Sequence, residues 1–513
     1  MKGYGEAGAS HYKKAVKGFT AKSGSPREDI DFNNYTMRQR ARMLYMASPM
    51  ATSAIKTNRT NVVGMGLQLK SRIDREVVGM SQTAAEQWQK KTEREFALWA
   101  SNKRACDATG INDFFGLQQL ALMSWLMSGD CVGVLKHYDT SLMYPNSLRV
   151  HLIEADRIAT PGVGINVYTT GKNEENGNII YDGVEINKNG QIVAYHIRSN
   201  HPFEMKAEPE TWSRVLAYQE NTGLPNVVHV MESERPDQYR GVSYLAQVIE
   251  PLLQLRRYTE SELMAALVES FFTAFIKTES SVNDMPFNET GDDPAEPQSE
   301  NDYNMGPGQI NILKPGEDVV FAEPQRPAGG FDKFIRAISD QVGAALEIPS
   351  DLLMKSFNAS YSASRAALLE AWKAFKMRRE WLASSFCRPI YEVWLSEEIA
   401  RGRINAPGFF ADPAIRAAWL GTEWLGPSQG QLDPVKEITA EILACSEGFS
   451  THEQSTVKLN GGQWSKNVET LRRENEQLGG DAPDAHQSQK EVSNRLRNLI
   501  IESALAAEKG EKQ

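Results

Sequence analysis

The clearest pattern of apolar and polar positions lies in the second half of the chain. Apolar residues recur at helical spacing over residues 331–346, which predicts an amphipathic helix. Ile348-Pro349-Ser350 ends that helix, because proline cannot continue it and restricts the residue before it. A polar segment extends to Ser364, and helical spacing resumes at Arg365 and continues to Arg401. We therefore predict a helix, a polar loop and a much longer helix.

Helical spacing also dominates the chain before residue 130. It predicts helices over residues 37–63, with a break at Pro49, and over residues 83–101 and 111–128. The last of these ends at Gly129-Asp130. An N-terminal block of helices is therefore expected before the first strands.

The pattern changes to strands after residue 130. Four β-rich runs are predicted as strands, at residues 131–137, 148–154, 215–219 and 226–231. Residues 179–188 and 191–198 alternate in polarity around Asn189-Gly190, which is a strong hairpin signal. We therefore predict an α+β block over residues 30–240, with helices first and a β-rich sheet after them.

A polar turn over residues 235–243 leads into another predicted helix. Ser243 is the expected N-cap, and Pro251 is expected to kink this helix. Strands are predicted after it, at residues 271–276, 310–313 and 319–322. Residues 279–308 between them contain eight acidic residues and no basic residue. We expect this acidic stretch to be a poorly ordered insertion within a small β module, dispensable for assembly.

The C-terminal part is predicted to be mainly helical. Segments at residues 411–419, 424–426 and 432–447 precede a helix whose start has the spacing of a capping box, formed by Ser450 and Glu453. A polar helical tail is expected after it.

Composition and charge restrict the function. The chain has 513 residues, 41% of them hydrophobic and 24% charged, which is ordinary for a globular protein of several domains. No run of apolar residues is long enough to predict a membrane span, and the N-terminus does not resemble a secretion signal. The net charge of −10 argues against a protein that grips nucleic acid, although it allows one that lets DNA slide past.

Motifs of enzymes and cofactor sites are absent from the sequence. It contains no phosphate-binding P-loop, no H-E-x-x-H motif and no G-x-S-x-G motif. The four cysteines are spaced too widely for a zinc or redox motif, and we interpret them as buried thiols. His151 with Glu154, and His229, fit ordinary polar or core positions better than ligand positions. We therefore expect no catalytic residues, no metal and no cofactor.

A set of short motifs occurs in a fixed order along the chain. They are Arg40-Ala-Arg-Met-Leu-Tyr45, Asn61-Val-Val-Gly64, His151-Leu-Ile-Glu-Ala-Asp-Arg157, Gly183-Val-Glu-Ile-Asn-Lys-Asn-Gly190, Tyr195-His-Ile-Arg198, Arg235-Pro-Asp-Gln-Tyr-Arg-Gly-Val-Ser243, Leu313-Lys-Pro-Gly-Glu317, Leu346-Glu-Ile-Pro349, Asn358-Ala-Ser-Tyr-Ser-Ala-Ser-Arg365 and Asp433-Pro-Val-Lys436. This order resembles that of the portal proteins of tailed bacteriophages, in their lambda-like branch. The resemblance covers residues 35–475 and is most specific at 235–243 and 346–402.

The resemblance implies an α+β portal-protein fold with named parts. After a flexible N-terminus, these would be a wing, two stem helices, a small β-containing clip, a tunnel loop and a helical crown. The implied boundaries are 1–29 for the N-terminus, 30–242 and 364–430 for the wing, 243–270 and 326–347 for the stem, 271–325 for the clip, 348–363 for the tunnel loop and 431–513 for the crown. The acidic stretch at 279–308 departs from the compact clip that the family usually has.

The resemblance also implies partners and a place of action. A ring of about twelve copies would form a channel at one capsid vertex of the virion, after assembly in the host cytoplasm. Double-stranded DNA would pass through it without sequence specificity. The implied protein partners are the terminase large subunit, neck or adaptor proteins, and the major capsid and scaffold proteins.

Site residues follow from the same resemblance. The tunnel loop would present Lys355, Ser356, Asn358 and Ser360, and the stem would line the channel with Lys333 and Arg336. Asp292, Asp293 and Glu296 would dock partners at the clip. Lys355 is either a weak phosphate contact in the channel or a lysine on an ordinary surface loop. The basic residues of the first helix form a solvated face, or contact a neighbouring subunit or packaged DNA; they are Arg38, Arg40, Arg42, Lys56 and Arg59.

Two other classes of protein remain as alternatives. One is a different head-to-tail connector or minor capsid protein, which would not need this order of helix, clip, helix, loop and long helix. The other is a nuclease, which would need a constellation of carboxylates or histidines around a metal.

Overall fold

The computed structural model describes residues 9–10, 13–16, 18–162, 170–205, 209–270, 274–278, 317–321, 330–357, 360–431 and 433–477. The chain divides into two compact units. The larger unit contains Met1–Ile249 and Asp340–Gln513, and the smaller unit contains Glu250–Ser339.

Most of the described chain is helical. The helices in chain order are α1 (Phe32–Ala47), α2 (Pro49–Asn58), α3 (Gln82–Ser101), α4 (Lys103–Cys106), α5 (Phe114–Ser128), α6 (Ile249–Ser270), α7 (Phe331–Ala345), α8 (Ser350–Met354), α9 (Tyr361–Leu382), α10 (Arg388–Ala400), α11 (Pro413–Trp419), α12 (Pro434–Ser446), α13 (His452–Asn460) and α14 (Trp464–Gln477). Short π-helical stretches, Arg27–Asp31, Arg59–Val63 and Ala383–Cys387, adjoin α1, α2 and α9. A 3₁₀ turn, Ala246–Val248, directly precedes α6.

Short polar side chains set the starts of several helices. Ser81, Asp113, Ser360 and Asp433 each accept a hydrogen bond from the backbone N–H three residues later. Such caps satisfy amide groups that have no partner within the first helical turn. The capped positions therefore define where α3, α5, α9 and α12 begin.

In the described part of the chain, the strands form four antiparallel sheets. In chain order the strands are β1 (Gln68–Ser71), β2 (Asp130–His137), β3 (Leu148–Ile153), β4 (Gly171–Lys172), β5 (Ile179–Tyr181), β6 (Val184–Ile186), β7 (Ile192–Arg198), β8 (Trp212–Leu216), β9 (Val227–Met231), β10 (Ala274–Thr278), β11 (Glu317–Phe321) and β12 (Thr422–Leu425). The sheets have the orders β3-β2-β9, β4-β5-β6-β7-β8, β1-β12 and β10-β11. The last pair belongs to the smaller unit.

Aromatic residues form one core of the larger unit. The ring of Phe96 lies 5.1 Å from that of Trp394, 5.6 Å from that of Phe114 and 5.8 Å from that of Trp424. These four buried side chains join α3, α5, α10 and β12. A second core of aliphatic and tyrosine side chains packs where the two larger sheets meet, around Val132, Val184 and Ile197. Burial of the aromatic side chains of the first core is the main force that holds α10 against α3 and α5.

The predicted order of elements is confirmed, with differences at their ends. The Asn189-Gly190 hairpin is present between β6 and β7. The run at 179–188 is two strands, because the chain turns at Asp182 and Gly183, whose φ angles are +43° and +83°. The predicted strand at 215–219 is instead β8, three residues earlier.

Three helix starts differ from the prediction. The long helix begins at Tyr361 with Ser360 as its cap, and residues 350–354 of the predicted loop are helical. Pro251 lies in the first turn of α6, where a missing N–H costs no intrahelical hydrogen bond, and the kink there stays a prediction. Ser243 precedes a 3₁₀ turn and does not cap α6. The capping box is formed by Thr451 and Gln454, one residue after the predicted pair.

Other predictions lie partly or wholly outside the described residues. The acidic stretch 279–308 and the predicted strand at 310–313 lie outside them, as does most of the predicted clip. The domain boundaries taken from the resemblance stay predictions. Cys106, Cys131 and Cys387 are buried free thiols, as interpreted, whereas Cys445 is half-buried. In the described part of the chain, no helix combines the length and hydropathy needed to cross a membrane.

Candidate functional site

Residues 346–360, the loop segment, connect α7 to α9 and coincide with most of the predicted tunnel loop. The helix α8 lies inside it, between two residues in the left-handed region, Glu347 with φ +53° and Lys355 with φ +55°. A side chain with a Cβ strains the backbone there by roughly 1 kcal/mol. A short helix with a left-handed residue on each side therefore occupies part of the predicted polar loop.

The start of the loop segment is attached to three other elements. Arg378 on α9 donates to Glu347 at 2.6 Å and to Asn58 on α2 at 3.2 Å. The same guanidinium lies 4.8 Å over the ring of Tyr244, whose hydroxyl donates to the carbonyl of Leu346. A buried arginine with both carboxylate and aromatic partners resists displacement. The first turn of the loop segment is therefore firmly positioned.

A second set of contacts holds α8. The hydroxyl of Ser53 on α2 donates to the carbonyl of Leu353 at 2.7 Å, and the Leu353 side chain is buried. The Ile348 N–H donates to the carbonyl of Gly343 at 2.9 Å. A Cβ at Gly343 would lie 2.5 Å from the Ile348 carbonyl oxygen, so only glycine permits this approach. The loop segment thus packs backbone to backbone against the end of α7.

The tip of the loop segment is exposed. Phe357 is 54% exposed and Met354 is 45% exposed, with Lys355 and Ser356 exposed between them. Two large apolar side chains beside a lysine, on an anchored turn, are typical of a surface that meets a partner. Ser360 is exposed and caps α9, while Asn358 lies outside the described residues.

The predicted stem residues lie on α7. Lys333 and Arg336 are exposed, whereas the neighbouring Ile335 and Ile338 are half-buried. In the smaller unit, the ring of Tyr258 on α6 packs 4.5 Å from that of Phe334 and 5.7 Å from that of Phe331. The predicted clip residues Asp292, Asp293 and Glu296 lie outside the described residues.

A buried charge cluster lies around Arg240, in the 235–243 motif. The cluster consists of Asp31, Arg38, Asp130, Asp182 and Arg240. Arg240 Nε donates to Asp130 Oδ2 at 2.6 Å, and Nη1 donates to Asp182 Oδ2 at 2.7 Å. Its other N–H groups donate to backbone carbonyls of the 155–158 turn at 2.8 and 2.9 Å. Sequence reasoning missed this arrangement, in which one guanidinium ties together three distant segments of the larger unit.

The cluster shifts the pKa values of its carboxyl groups in opposite directions. Burial alone would raise the pKa of Asp130, but the charges of Arg240 and Arg38 hold it well below its usual range. Burial, with the charge of Asp182, raises the pKa of Asp31 to about 7. The two carboxyl groups therefore differ in protonation below neutral pH.

The basic residues of the first helix divide into two groups. Arg38 is buried and donates to the Ser128 carbonyl at 3.1 Å. Arg42 is half-buried, donates to Ser128 Oγ at 2.9 Å and pairs with the buried Asp156. A solvated face is therefore the wrong interpretation for these two, although Arg40 and Lys56 are exposed.

Within the described ranges, three residues form a group that could hold a metal ion. Glu154, Asp156 and His201 have ligand atoms within 4.8 Å of one another. Asp156 is already paired with Arg42, and His201 Nδ1 accepts a hydrogen bond from the Phe203 N–H, which places the proton of the neutral ring on Nε2. These contacts fit ion pairing better than metal binding.

Two other histidines lie on strands. His151 on β3 is half-buried, and burial lowers its pKa. His229 is a core residue, with Nε2 3.5 Å from Asp130 Oδ2 and Nδ1 3.3 Å from the hydroxyl of Tyr195.

Comparison with known proteins gives consistent matches. A family model described as phage portal protein, lambda family, matches residues 12–379. Portal protein B of Escherichia phage lambda is 23% identical over 456 residues, covering 84% of this chain and 83% of its own length. The portal protein of Escherichia phage N15 is 22% identical over 428 residues, covering 80% of this chain and 78% of its own.

Solved structures of gene transfer agents are also similar. A chain in the neck of the native particle, computed with C12 symmetry, has a TM-score of 0.41 and 13% identity over 76% of this chain and 93% of its own. A chain from the native virion has a TM-score of 0.40 and 14% identity over 75% of this chain and 92% of its own.

The matched residues include the loop segment, the charge cluster and both helices of the smaller unit. The mixed architecture of helices and antiparallel sheets agrees with the α+β portal fold that the sequence motifs predict. The chain therefore belongs to the lambda family of phage portal proteins, structural components of the virion that form the portal at a capsid vertex.

Proposed function

We propose that this portal protein closes head to tail into a ring of about twelve copies, and that double-stranded DNA passes through the central channel in packaging and ejection. Membership of the portal family supports the proposal. A contact in which different surfaces of two copies meet generates a ring when its rotation closes.

The single observation that carries the channel role is the anchored, exposed loop segment. Arg378, Tyr244 and Ser53 fix its backbone, while Lys355 and Phe357 are left exposed. Repeated once per copy, Lys355 would place a ring of isolated cations along the DNA path. Each phosphate contact would release about one counterion, which slows DNA slippage without arresting DNA. The chain's net charge of −10 suits a conduit from which DNA must slide free.

The partners belong to the same proposal. The terminase large subunit, and later the neck or adaptor proteins, would dock at the clip. The clip contains the paired strands β10 and β11, and Asp292, Asp293 and Glu296 lie between these strands in the sequence. The wing would meet the major capsid and scaffold proteins during assembly in the host cytoplasm. Lys333 and Arg336 would line the stem. The role is structural, without catalysis.

Electron microscopy of the purified chain tests the ring. We expect class averages with a central hole and a particle mass of several hundred kilodaltons, as about twelve 57.2 kDa copies require. A monodisperse monomer at micromolar concentration, with no rings when the concentration is raised, would contradict the proposal.

A nuclease assay tests the absence of catalysis. Plasmid DNA incubated with the chain and Mg²⁺ or Mn²⁺ should stay intact. Cleavage that disappears in His201→Ala would show that the group of Glu154, Asp156 and His201 binds a catalytic metal after all.

A further inference from the structure

A cavity in the larger unit lies outside the loop segment and the charge cluster. It has a volume of about 630 Å³ and opens between α9, the turn after β12 and the start of α13. Four cations and two carboxylates line it: Arg72, Lys376, Arg379 and Lys458, with Glu423 and Glu453. We refer to it as the basic pocket.

The two carboxylates of the basic pocket already have cationic partners. Glu423 pairs with Arg72 at 3.0 Å. Glu453 lies 3.7 Å from Lys70, which is outside the lining. Lys458 in turn pairs with Glu441. Neither carboxylate is therefore committed to Lys376 or Arg379.

Arg379 is a half-buried cation whose acceptors are all backbone carbonyls. Its Nε donates to Val62 at 2.9 Å, and its Nη2 donates to Asn61 at 2.8 Å and to Pro427 at 2.9 Å. Among the described residues, no carboxylate pairs with it and its Nη1 donates no hydrogen bond. Burial lowers the pKa of Arg379 to about 10, so it stays charged at neutral pH.

The surroundings hold this guanidinium in place. It lies 5.6 Å over the ring of Trp372, about two turns earlier on α9. A Cβ at Gly426 would lie 2.6 Å from Arg379 Nε, so the absence of a side chain there lets the guanidinium pack against the turn. Arg379 therefore donates three hydrogen bonds to backbone carbonyls and stacks on the Trp372 ring, and its Nη1 edge is left for a ligand.

Lys376 supplies a second charge on the same face of α9. It is exposed, lines the basic pocket and has no ion-pair partner within the described part of the chain. Residues three and four apart on a helix are neighbours, so Trp372, Lys376 and Arg379 share one face. Ser428 and Gln429 also line the basic pocket and offer neutral hydrogen-bond donors.

From these contacts we propose that the basic pocket binds a phosphate group, held by Arg379 and Lys376. An arginine edge and a lysine beside it are the side chains that recognise phosphate oxygens in proteins. The phosphate belongs either to the backbone of DNA close to the portal or to a free phosphate ion, and these two sources share the same chemistry. The site is present in each copy and does not depend on the channel role of the loop segment.

Binding measurements on the full chain test this site. The probes are inorganic phosphate, titrated in a calorimeter, and a short labelled DNA duplex, followed by fluorescence anisotropy at low salt. The test variant is Lys376→Gln, because Lys376 is exposed and has no ion pair among the described residues. The matched control is Lys373→Gln, an exposed lysine on α9 that pairs with Glu370 at 2.5 Å and lies outside the basic pocket.

We expect Lys376→Gln to weaken binding by about two- to fivefold, and Lys373→Gln to leave it unchanged. If Lys376→Gln weakens the binding of inorganic phosphate but not of the duplex, the ligand is a free phosphate ion. Selective loss with the duplex alone, accompanied by a smaller dependence on salt, identifies the DNA backbone. Equal losses of binding in both variants would show that binding depends on the general charge of α9 and not on a specific site. No loss of binding in either variant would show that Lys376 does not contact phosphate. Each of these last two results would overturn the proposal.

Discussion

Arg240 and Asp130 form an ion pair in which neither side chain is exposed to solvent. Arg240 Nε lies 2.6 Å from Asp130 Oδ2, and both side chains are 0% exposed. A buried charge is tolerated only when its partner and its remaining hydrogen bonds are in place. The pair therefore makes the fold of the larger unit depend on the 235–243 motif.

Arg240→Met should destabilise the chain strongly. It leaves Asp130 buried with a weaker set of partners, and loss of one member of a buried pair typically costs about 3–5 kcal/mol. Urea unfolding followed by circular dichroism measures the loss. The control is Arg235→Met, since Arg235 pairs with Asp29 at 2.7 Å where both side chains are well exposed. That variant should lose about 1 kcal/mol or less. Similar losses in the two variants would contradict the central role of the buried pair.

Asp31 should make stability depend on pH. Its pKa is raised from 3.8 to about 7 in the folded chain, mainly by burial. Asp31 contributes fully to the free energy of unfolding below the pKa that its carboxyl group has in the unfolded chain. This contribution is lost as the pH rises through the pKa of the folded chain. The free energy of unfolding should therefore fall by about 1 kcal/mol per pH unit between roughly pH 4 and 7 from this group.

Asp31→Asn tests this dependence. The uncharged amide should remove the fall, so that the variant gains stability relative to the unchanged chain as the pH rises from 5 to 7, with no further gain above 8. Urea titrations across this range measure the difference. Glu28→Gln, an exposed carboxylate one helical turn earlier, should give a curve parallel to that of the unchanged chain. A parallel curve for Asp31→Asn as well would refute the assignment.

The sequence predicted the elements better than it predicted their contacts. Alternation around Asn189-Gly190 and the apolar spacing of α7 are local signals, and both elements are present. The partners of Arg240 lie 110 and 58 residues away, so its role could not be found from a local pattern. The one available signal was an arginine in a motif that is otherwise turn-like, next to Gly241.

Errors at helix starts have a common physical cause. Ser360, Ser362 and Ser364 are all competent N-caps, and only tertiary packing selects the first of them. Ser450 and Thr451 likewise offer overlapping capping boxes, and the second is used. Where several polar residues compete locally, contacts from elsewhere in the chain decide.

Gly343→Ala should destabilise the loop segment, although alanine is normally better than glycine inside a helix. The added Cβ would lie 2.5 Å from the Ile348 carbonyl oxygen, a backbone atom that cannot rotate away. We expect a lower melting temperature and faster proteolysis near residue 355. Ala337→Gly, at an exposed position of α7, calibrates the intrinsic effect of glycine, which is about 1 kcal/mol. A melting temperature for Gly343→Ala at or above that of the unchanged chain would mean that the loop segment adjusts freely.

Lys355→Ala tests the channel role of the loop segment. Alanine keeps a Cβ at φ +55°, so the backbone strain is similar and ring assembly should be unchanged. Removal of the exposed ammonium should reduce DNA retention in filled particles at low salt, with a smaller effect at high salt because counterions already screen the phosphates. The measurement is the fraction of full-length DNA retained across a range of salt concentrations.

Lys373→Ala, which changes an exposed lysine on α9, is the control and should retain DNA normally at every salt concentration. Lys355→Gly separates charge from backbone, since it removes the same ammonium and also relieves the strain. If both Lys355 variants retain DNA as the unchanged chain does, Lys355 is an ordinary surface lysine and the loop segment holds no phosphate in the channel.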